Sequence, residues 1–141
     1  MLLSVPLIGG RRQSKPLSDT AIDYTHAWQR QHWGALYSAY GRAPFFEHYG
    51  PELESILKRQ YKSLLDFNLA GIEWLSGAIL LEIRFSLVDE WPAGAEDVET
   101  NLHTPTPEYT QVFGERQGFV AGLSAIDLLM NEGPAARMYL M

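Results

Sequence analysis

The sequence predicts an α+β fold, in which an aromatic helix at residues 26–40 is central and packs on a small mixed sheet. Residues 2–8 form an apolar stretch closed by Gly9-Gly10, which is typical of a strand and turn. Residues 81–88 alternate apolar and polar side chains, which indicates a second strand. A third, shorter strand is predicted at residues 109–113. Apolar residues at helical spacing over 52–79 complete a single domain spanning residues 1–141.

Composition excludes several classes of protein. The 141 residues are 46% hydrophobic and 20% charged, which is typical of a globular chain. A formal charge of −6 argues against a nucleic-acid partner, although a local cationic pocket for a small anion remains compatible with it. The absence of cysteine excludes disulfides and thiolate catalysis. No apolar run approaches the roughly 20 residues that span a bilayer, so we expect a cytoplasmic protein without membrane insertion.

The predicted helix at 26–40 is rich in aromatic side chains. Thr25 is the expected N-cap and Gly41 the expected end. Trp28 and His32 share one face, while Trp33, Tyr37 and Tyr40 occupy another, and a helix that is apolar on two faces is usually surrounded by protein. We therefore place this helix at the centre of the fold.

The remaining segments follow local signals. Residues 52–79 form either one kinked helix or two shorter ones, the second capped by Asp66. Residues 89–107 are rich in Pro, Gly, Thr and acids and are predicted to be a long loop. Ser124 and Asp127 stand at the spacing of a capping box, which starts a helix that Gly133-Pro134 ends.

His32 is the candidate catalytic residue. It is either a core histidine or a general base, since an imidazole in an aromatic pocket can titrate near working pH. Trp28, one helical turn away, is either packing or a wall on which a sugar stacks. The Arg11-Arg12 loop is either a solvated turn or a clamp for phosphate or carboxylate oxygens, and Arg42 either complements the helix dipole or faces a phosphate.

Four further polar residues are candidates for substrate binding. Tyr109 and Gln111 would share a face of the third strand. Asp127 and Asn131 lie one helical turn apart, and a helix cap with a helix end explains them more simply than substrate binding does. No His-Xaa-His or His-Glu-Xaa-Xaa-His spacing is present, so we predict no metal site. No phosphate loop or Gly-Xaa-Ser-Xaa-Gly elbow occurs, and no motif identifies a cofactor.

An ordered series of short blocks runs along nearly the whole chain. The blocks include Ser4-Val5-Pro6, Ile22-Asp23, Trp28 with His32, Leu65-Asp66-Phe67-Asn68, Tyr109 with Gln111-Val112-Phe113, Gly118-Phe119 and Asn131-Glu132-Gly133-Pro134. In this order they resemble the WbqC-like protein family. The resemblance implies a role in bacterial O-antigen, lipopolysaccharide or other surface-polysaccharide biosynthesis. It also implies an aminoacyl or glycine transferase acting on an activated amino sugar, with a nucleotide sugar as the small-molecule substrate.

Two other classes of function stay open. The chain is either that transferase, a non-catalytic ligand-binding or accessory protein of the same system, or a metal-dependent hydrolase or lyase. Members of the family usually carry an extra N-terminal portion before the Ser-Val-Pro block, which this sequence lacks. We therefore expect the strand at residues 2–8 to present an unpaired edge and to favour a homodimer.

Overall fold

The computed structural model describes residues 3–10, 15–84, 86–88 and 107–140, and helices dominate these residues. The described α-helices are α1 (Trp28–Tyr40), α2 (Phe46–Lys58), α3 (Leu64–Ala78), α4 (Gly114–Gln117) and α5 (Ala125–Glu132). The described residues also form two 3-10 helices, Leu17–Asp19 and Gly133–Tyr139. None of the described helices is both long and apolar enough to cross a bilayer. The loop predicted at 89–107 lies, except for Pro107, outside the described residues.

The predicted mixed sheet is wrong. Residues 3–8 make one isolated antiparallel bridge, between Leu7 and Ile22, and no strand forms in the described parts of 81–88 and 109–113. A strand needs a partner for its backbone groups and cover for its apolar face. Ile83 and Leu87, on the face expected to be buried, are 51% and 65% exposed. Although the sequence alternates here, no surface among the described residues covers Ile83 and Leu87.

The absence of a strand in residues 3–8 also affects the expected mode of association. The Ile8 N–H donates to Ala21 O (3.0 Å), and the Asp23 N–H donates to Pro6 O (2.9 Å). These bonds tie the segment to the residues just before α1 instead of leaving a regular strand edge. The homodimer stays a prediction, but the strand edge proposed to mediate it is not formed in the described residues.

Helix α1 begins later than predicted and ends where predicted. Thr25 does not cap it, because the Thr25 N–H and hydroxyl both donate to Asp23 Oδ1 (2.8 and 2.6 Å). This local turn competes with helical capping, and Ala27 becomes the N-cap. At the other end the Gly41 N–H donates to Tyr37 O (2.8 Å). A Cβ on Gly41 would lie 2.6 Å from that oxygen, so only glycine fits this helix end.

Residues 46–78 form two helices, and the first begins before residue 52, the expected start of the helical segment, and contains Gly50-Pro51. Pro51 lies inside α2, where its missing N–H costs one bond to the exposed Glu47. Helix α3 is capped by Ser63: the Asp66 N–H donates to Ser63 Oγ (3.2 Å) and the Ser63 N–H donates to Asp66 Oδ2 (3.1 Å). Asp66 is therefore the reciprocal member of a capping box rather than the cap.

Helix α5, rather than α1, contains the most deeply buried residues. Leu129 and Met130 are fully buried, and every residue from Asp127 to Asn131 is buried. Helix α1 buries Trp28, His32 and Leu36, while Trp33 on its second face stacks on Phe46 of α2 with ring centroids 5.8 Å apart. The Phe45 N–H donates to Met130 O (3.0 Å) and joins the start of α2 to α5. The side chains of α5 are thereby held from several directions.

Candidate functional site

A buried carboxylate, that of Asp127 in the first turn of α5, is the centre of the candidate site. Ser124 caps the helix as predicted, with its Oγ accepting from the Ile126 N–H (3.3 Å). The Asp127 carboxylate does not complete the capping box. Its Oδ2 instead accepts from the Tyr109 hydroxyl (2.7 Å) and from Gln111 Nε2 (3.3 Å).

The environment of this carboxylate is unusual for a charged group. Asp127 is 5% exposed, and the described residues place no salt-bridge partner beside it. A buried charge is normally paired with an opposite charge or held by several hydrogen bonds. The neutral donors of Tyr109 and Gln111, together with the neighbouring Tyr40 hydroxyl, meet part of this requirement, and no cation among the described residues meets the rest.

Gln111 and Tyr109 are positioned by contacts with the chain around α4. The Gln111 side-chain amide pairs with the backbone of Val120 in both directions: Nε2 donates to Val120 O and the Val120 N–H donates to Oε1, each at 2.9 Å. The Tyr109 ring lies edge-on to Phe119, with centroids 5.3 Å apart, and to Tyr139, at 5.8 Å. Both side chains are thus oriented before any ligand arrives.

A cavity of about 520 Å³ opens beside Asp127. Its polar lining comes from Tyr40, Gln111, Gln117, Ser124 and Asp127, and its apolar lining includes Leu3, Leu36, Val120 and Ile126. The volume is within the range usual for small-molecule sites, and a mainly apolar wall with a few convergent polar groups is their usual composition. We name this space the Asp127 cavity.

The two tyrosines next to Asp127 stay protonated at neutral pH. Burial, followed by the neighbouring Asp127 carboxylate, raises the pKa of Tyr40 to about 12. Burial and then the hydrogen bond to Asp127 raise the pKa of Tyr109, against a smaller opposing effect of Gln111. Both phenols therefore act as hydrogen-bond donors. The Tyr109 hydroxyl donates to Asp127, whereas Tyr40 lines the Asp127 cavity, where its hydroxyl can meet a carboxylate or sugar oxygen of a ligand.

A second cavity, of about 380 Å³, lies on the other side of residues 111–113. Arg42, Thr110, Glu115, Arg116 and Asn131 line it, and Gln111, Val112 and Phe113 line both cavities. Asn131 is oriented by a bond from its Nδ2 to Asp127 O (2.8 Å). We name this space the Arg42 cavity, and its two guanidinium groups make it suitable for an anion.

His32 and Trp28 lie apart from these cavities. Their rings meet edge to face with centroids 5.0 Å apart, and both residues are buried, His32 being 8% exposed. Desolvation lowers the pKa of His32, and a hydrogen bond with the Ser4 backbone opposes that shift. Neither residue lines the Asp127 cavity or the Arg42 cavity. Catalysis by His32 stays a prediction.

The structure brings five predicted site residues together and separates or omits the others. Those five are Arg42, Tyr109, Gln111, Asp127 and Asn131. Arg11 and Arg12 lie outside the described residues, and no group of three His, Asp or Glu able to hold a metal occurs within the described part. Sequence reasoning missed Tyr40, Gln117 and Arg116. Only Tyr40 gave a signal, since it is a tyrosine at the end of a helix rich in rings.

Comparison with known proteins gives the family and no closer relative. No curated protein and no solved structure matches the chain significantly. The model of the WbqC-like protein family matches residues 1–104 and 95–139. The chain therefore belongs to the WbqC-like protein family, as the ordered blocks of its sequence predicted.

Proposed function

We propose that this WbqC-like protein binds an activated amino sugar in the Asp127 cavity and transfers an acyl group, glycyl or another aminoacyl group, to its amine. We place the reaction in the cytoplasm, in the biosynthesis of O-antigen or another bacterial surface polysaccharide. The observation that carries the proposal is the buried Asp127 carboxylate at the wall of a ligand-sized cavity, without a salt bridge from the described residues. A protonated amine fits such a group, because charge-assisted hydrogen bonds are among the strongest available.

The groups around Asp127 suit the rest of a sugar. Tyr109 and Gln111 hold the carboxylate in a fixed orientation through bonds of 2.7 and 3.3 Å. Gln117 and Ser124 in the lining carry an amide and a hydroxyl that can bond sugar hydroxyls. A site whose polar groups are already oriented binds at a lower cost in conformational entropy.

The Arg42 cavity suits the activating phosphates of a nucleotide sugar. Arg42 and Arg116 contribute two guanidinium groups, which bind phosphate oxygens in bidentate fashion. Because Gln111, Val112 and Phe113 line both cavities, a ligand placed over this segment would contact Asp127 with its sugar and the arginines with its phosphates.

Asp127 can also take part in the transfer. The Asp127 carboxylate, acting as a general base, first accepts one proton from the bound ammonium group and so frees the lone pair of the nitrogen. The nitrogen then forms a bond to the carbonyl carbon of an activated acyl donor, the bond from that carbon to its leaving group breaks, and the leaving group takes the second proton that the nitrogen loses. His32 is the competing candidate for the base; it does not itself line the cavity, although Leu36, one helical turn away, does.

A non-catalytic ligand-binding or accessory protein is the second candidate function. It is favoured by the position of His32, the base expected from the sequence, away from the described cavities. Incubation with an activated glycyl donor and UDP-glucosamine discriminates the two. Formation of the N-glycyl product supports the transferase, whereas binding without product supports the accessory protein.

Calorimetric titration with UDP-glucosamine tests the site itself. Removing the charge with Asp127→Asn should weaken binding by about tenfold to a hundredfold, the usual effect of losing a hydrogen bond to a charged group. Tyr40→Phe should weaken binding by about twofold to tenfold. Tyr37→Phe is the matched control, because Tyr37 lies on the same helix but is 60% exposed. Equal affinity of wild-type protein and Asp127→Asn would contradict the proposal.

A further inference from the structure

An apolar groove of about 430 Å³ lies between α2 and α3 and has no part in the function proposed so far. Leu53, Ile56 and Leu57 of α2 face Phe67, Ile72 and Leu75 of α3 across it. Its volume lies within the range of small-molecule sites. An apolar space of this size that stays open to solvent is costly unless a ligand fills it.

The groove adjoins the Asp127 cavity. Leu3, Leu36, Ser124 and Ile126 line both spaces. A single elongated ligand can therefore place a polar end beside Asp127 and an apolar end between α2 and α3. Because few polar residues line the groove, the groove suits the apolar end of such a ligand and the Asp127 cavity suits its polar end.

The chemistry of the groove identifies the apolar end. Asn68 and Ser124 supply its hydrogen-bonding side chains, apart from the Trp74 indole, whose Nε1 already donates to Glu52 (3.0 Å). A peptide laid in the groove would need partners for its backbone N–H and C=O groups, and the backbone of α2 and α3 is used within the helices. A hydrocarbon chain has no such requirement and gains from every methylene that it buries.

We infer, resting on the proposed function, that the groove binds the hydrocarbon chain of the transferred acyl group while the sugar occupies the Asp127 cavity. The acyl group is then a linear chain of several methylenes, which replaces the glycyl or other aminoacyl group of the proposed function, while the sugar, its amine and Asp127 keep the roles proposed for them. Leu3, Leu36, Ser124 and Ile126 form the junction, where the new amide would lie. The acylated sugar, the product of the reaction, spans both spaces.

A ladder of N-acylglucosamines, from acetyl through decanoyl, tests the inference by calorimetric titration of the full chain. Each methylene that enters the groove should tighten binding by up to about fourfold, the fold-change that corresponds to about 0.8 kcal/mol. Affinity should then level off once the groove is full. Glucosamine itself, which keeps the ammonium group, should bind Asp127→Asn more weakly than it binds wild-type protein, whereas the gain per methylene in the N-acyl series should be the same in both proteins, so failure of the sugar site and failure of the acyl site give different results.

Two glycines of α3 provide a matched pair of variants. Gly71 lines the groove and Gly77 does not, and a Cβ at either position meets no atom within 4 Å. Gly71→Leu should fill the groove and abolish the dependence on chain length, whereas Gly77→Leu should keep it. Leucine has the higher helix propensity, so both variants should unfold at or above the wild-type Tm.

A third variant guards against a folding defect in Gly71→Leu. Ile72→Gln places a polar group at the groove from a residue that is 47% exposed, and it should reduce the gain per methylene while leaving the acetyl compound unaffected. An affinity independent of chain length in wild-type protein would overturn the inference and assign the groove to another segment of the chain or to a protein partner. An unchanged ladder in both Gly71→Leu and Ile72→Gln would overturn it as well.

Discussion

Gly133 sets the junction between α5 and the start of α2, and its replacement gives the sharpest test of the packing that holds Asp127. Its backbone has φ 56° and ψ −130°, a conformation that costs other residues about 1–3 kcal/mol. A Cβ there would also lie 2.5 Å from Cε1 and 2.7 Å from Cγ of Phe45. Phe45 cannot move freely, because its N–H donates to Met130 O in the fully buried part of α5. Overpacking of this kind costs a further 1–3 kcal/mol or so.

Gly133→Ala should therefore lower the free energy of unfolding by about 2–6 kcal/mol. Gly118→Ala is the matched control, since Gly118 also has a positive φ (73°) but a Cβ there meets no atom within 4 Å. That variant should lose about 1–3 kcal/mol, for the backbone alone. Urea unfolding followed by far-UV circular dichroism measures both. Equal losses in the two variants would refute the steric contact with Phe45 and with it the described junction of α5 and α2.

Two further predictions concern α3 and α1. Ser63→Ala removes the Oγ that accepts from the Asp66 N–H and should cost about 0.5–2 kcal/mol in urea unfolding, whereas Ser38→Ala, on the exposed side of α1, should cost little. Desolvation lowers the pKa of His32 in the folded protein below its ordinary 6.5. As the pH falls, the unfolded chain therefore takes up the proton before the folded protein does, and the free energy of unfolding should decline below about pH 6.5. His32→Gln should remove that part of the decline and the exposed His26→Gln should retain it; identical pH profiles for His32→Gln and wild type would contradict the described burial of the imidazole.

Local signals in the sequence predicted the helices well. The end of α1 at Gly41, the cap at Ser124 and the end of α5 at Gly133-Pro134 depend on contacts within a few residues, so they can be read from sequence. The predicted start of α1 was wrong because Asp23 accepts hydrogen bonds from Thr25 that compete with helix capping by Thr25. Both arrangements are local, and the sequence gives no reason to prefer one of them.

Features that depend on distant partners were not predictable in the same way. The alternation at 81–88 suggested a strand, but a strand forms only where another segment pairs with it, and neither partner nor cover can be deduced from alternation. Tyr109 and Gln111 were selected as neighbours on a strand, and they do face Asp127, but through a turn held by Val120. The spacing of Asp127 from Ser124 also fits helix capping, and spacing alone does not reveal which hydrogen-bond donors lie opposite the Asp127 carboxylate.

The central claim is that the buried Asp127 carboxylate binds the ammonium group of an activated amino sugar. The direct measurement compares the calorimetric affinity of wild-type protein for UDP-glucosamine and UDP-N-acetylglucosamine, which differ by the acetyl group that removes the charge of the amine, and repeats the comparison in Asp127→Asn to separate the effect of charge from that of the acetyl group itself. A charge-assisted hydrogen bond to Asp127 predicts that the free amine binds about tenfold or more tightly than the acetamide, and that Asp127→Asn removes this preference. Equal affinity for the two sugars in wild-type protein, or a preference that persists in Asp127→Asn, would contradict the claim.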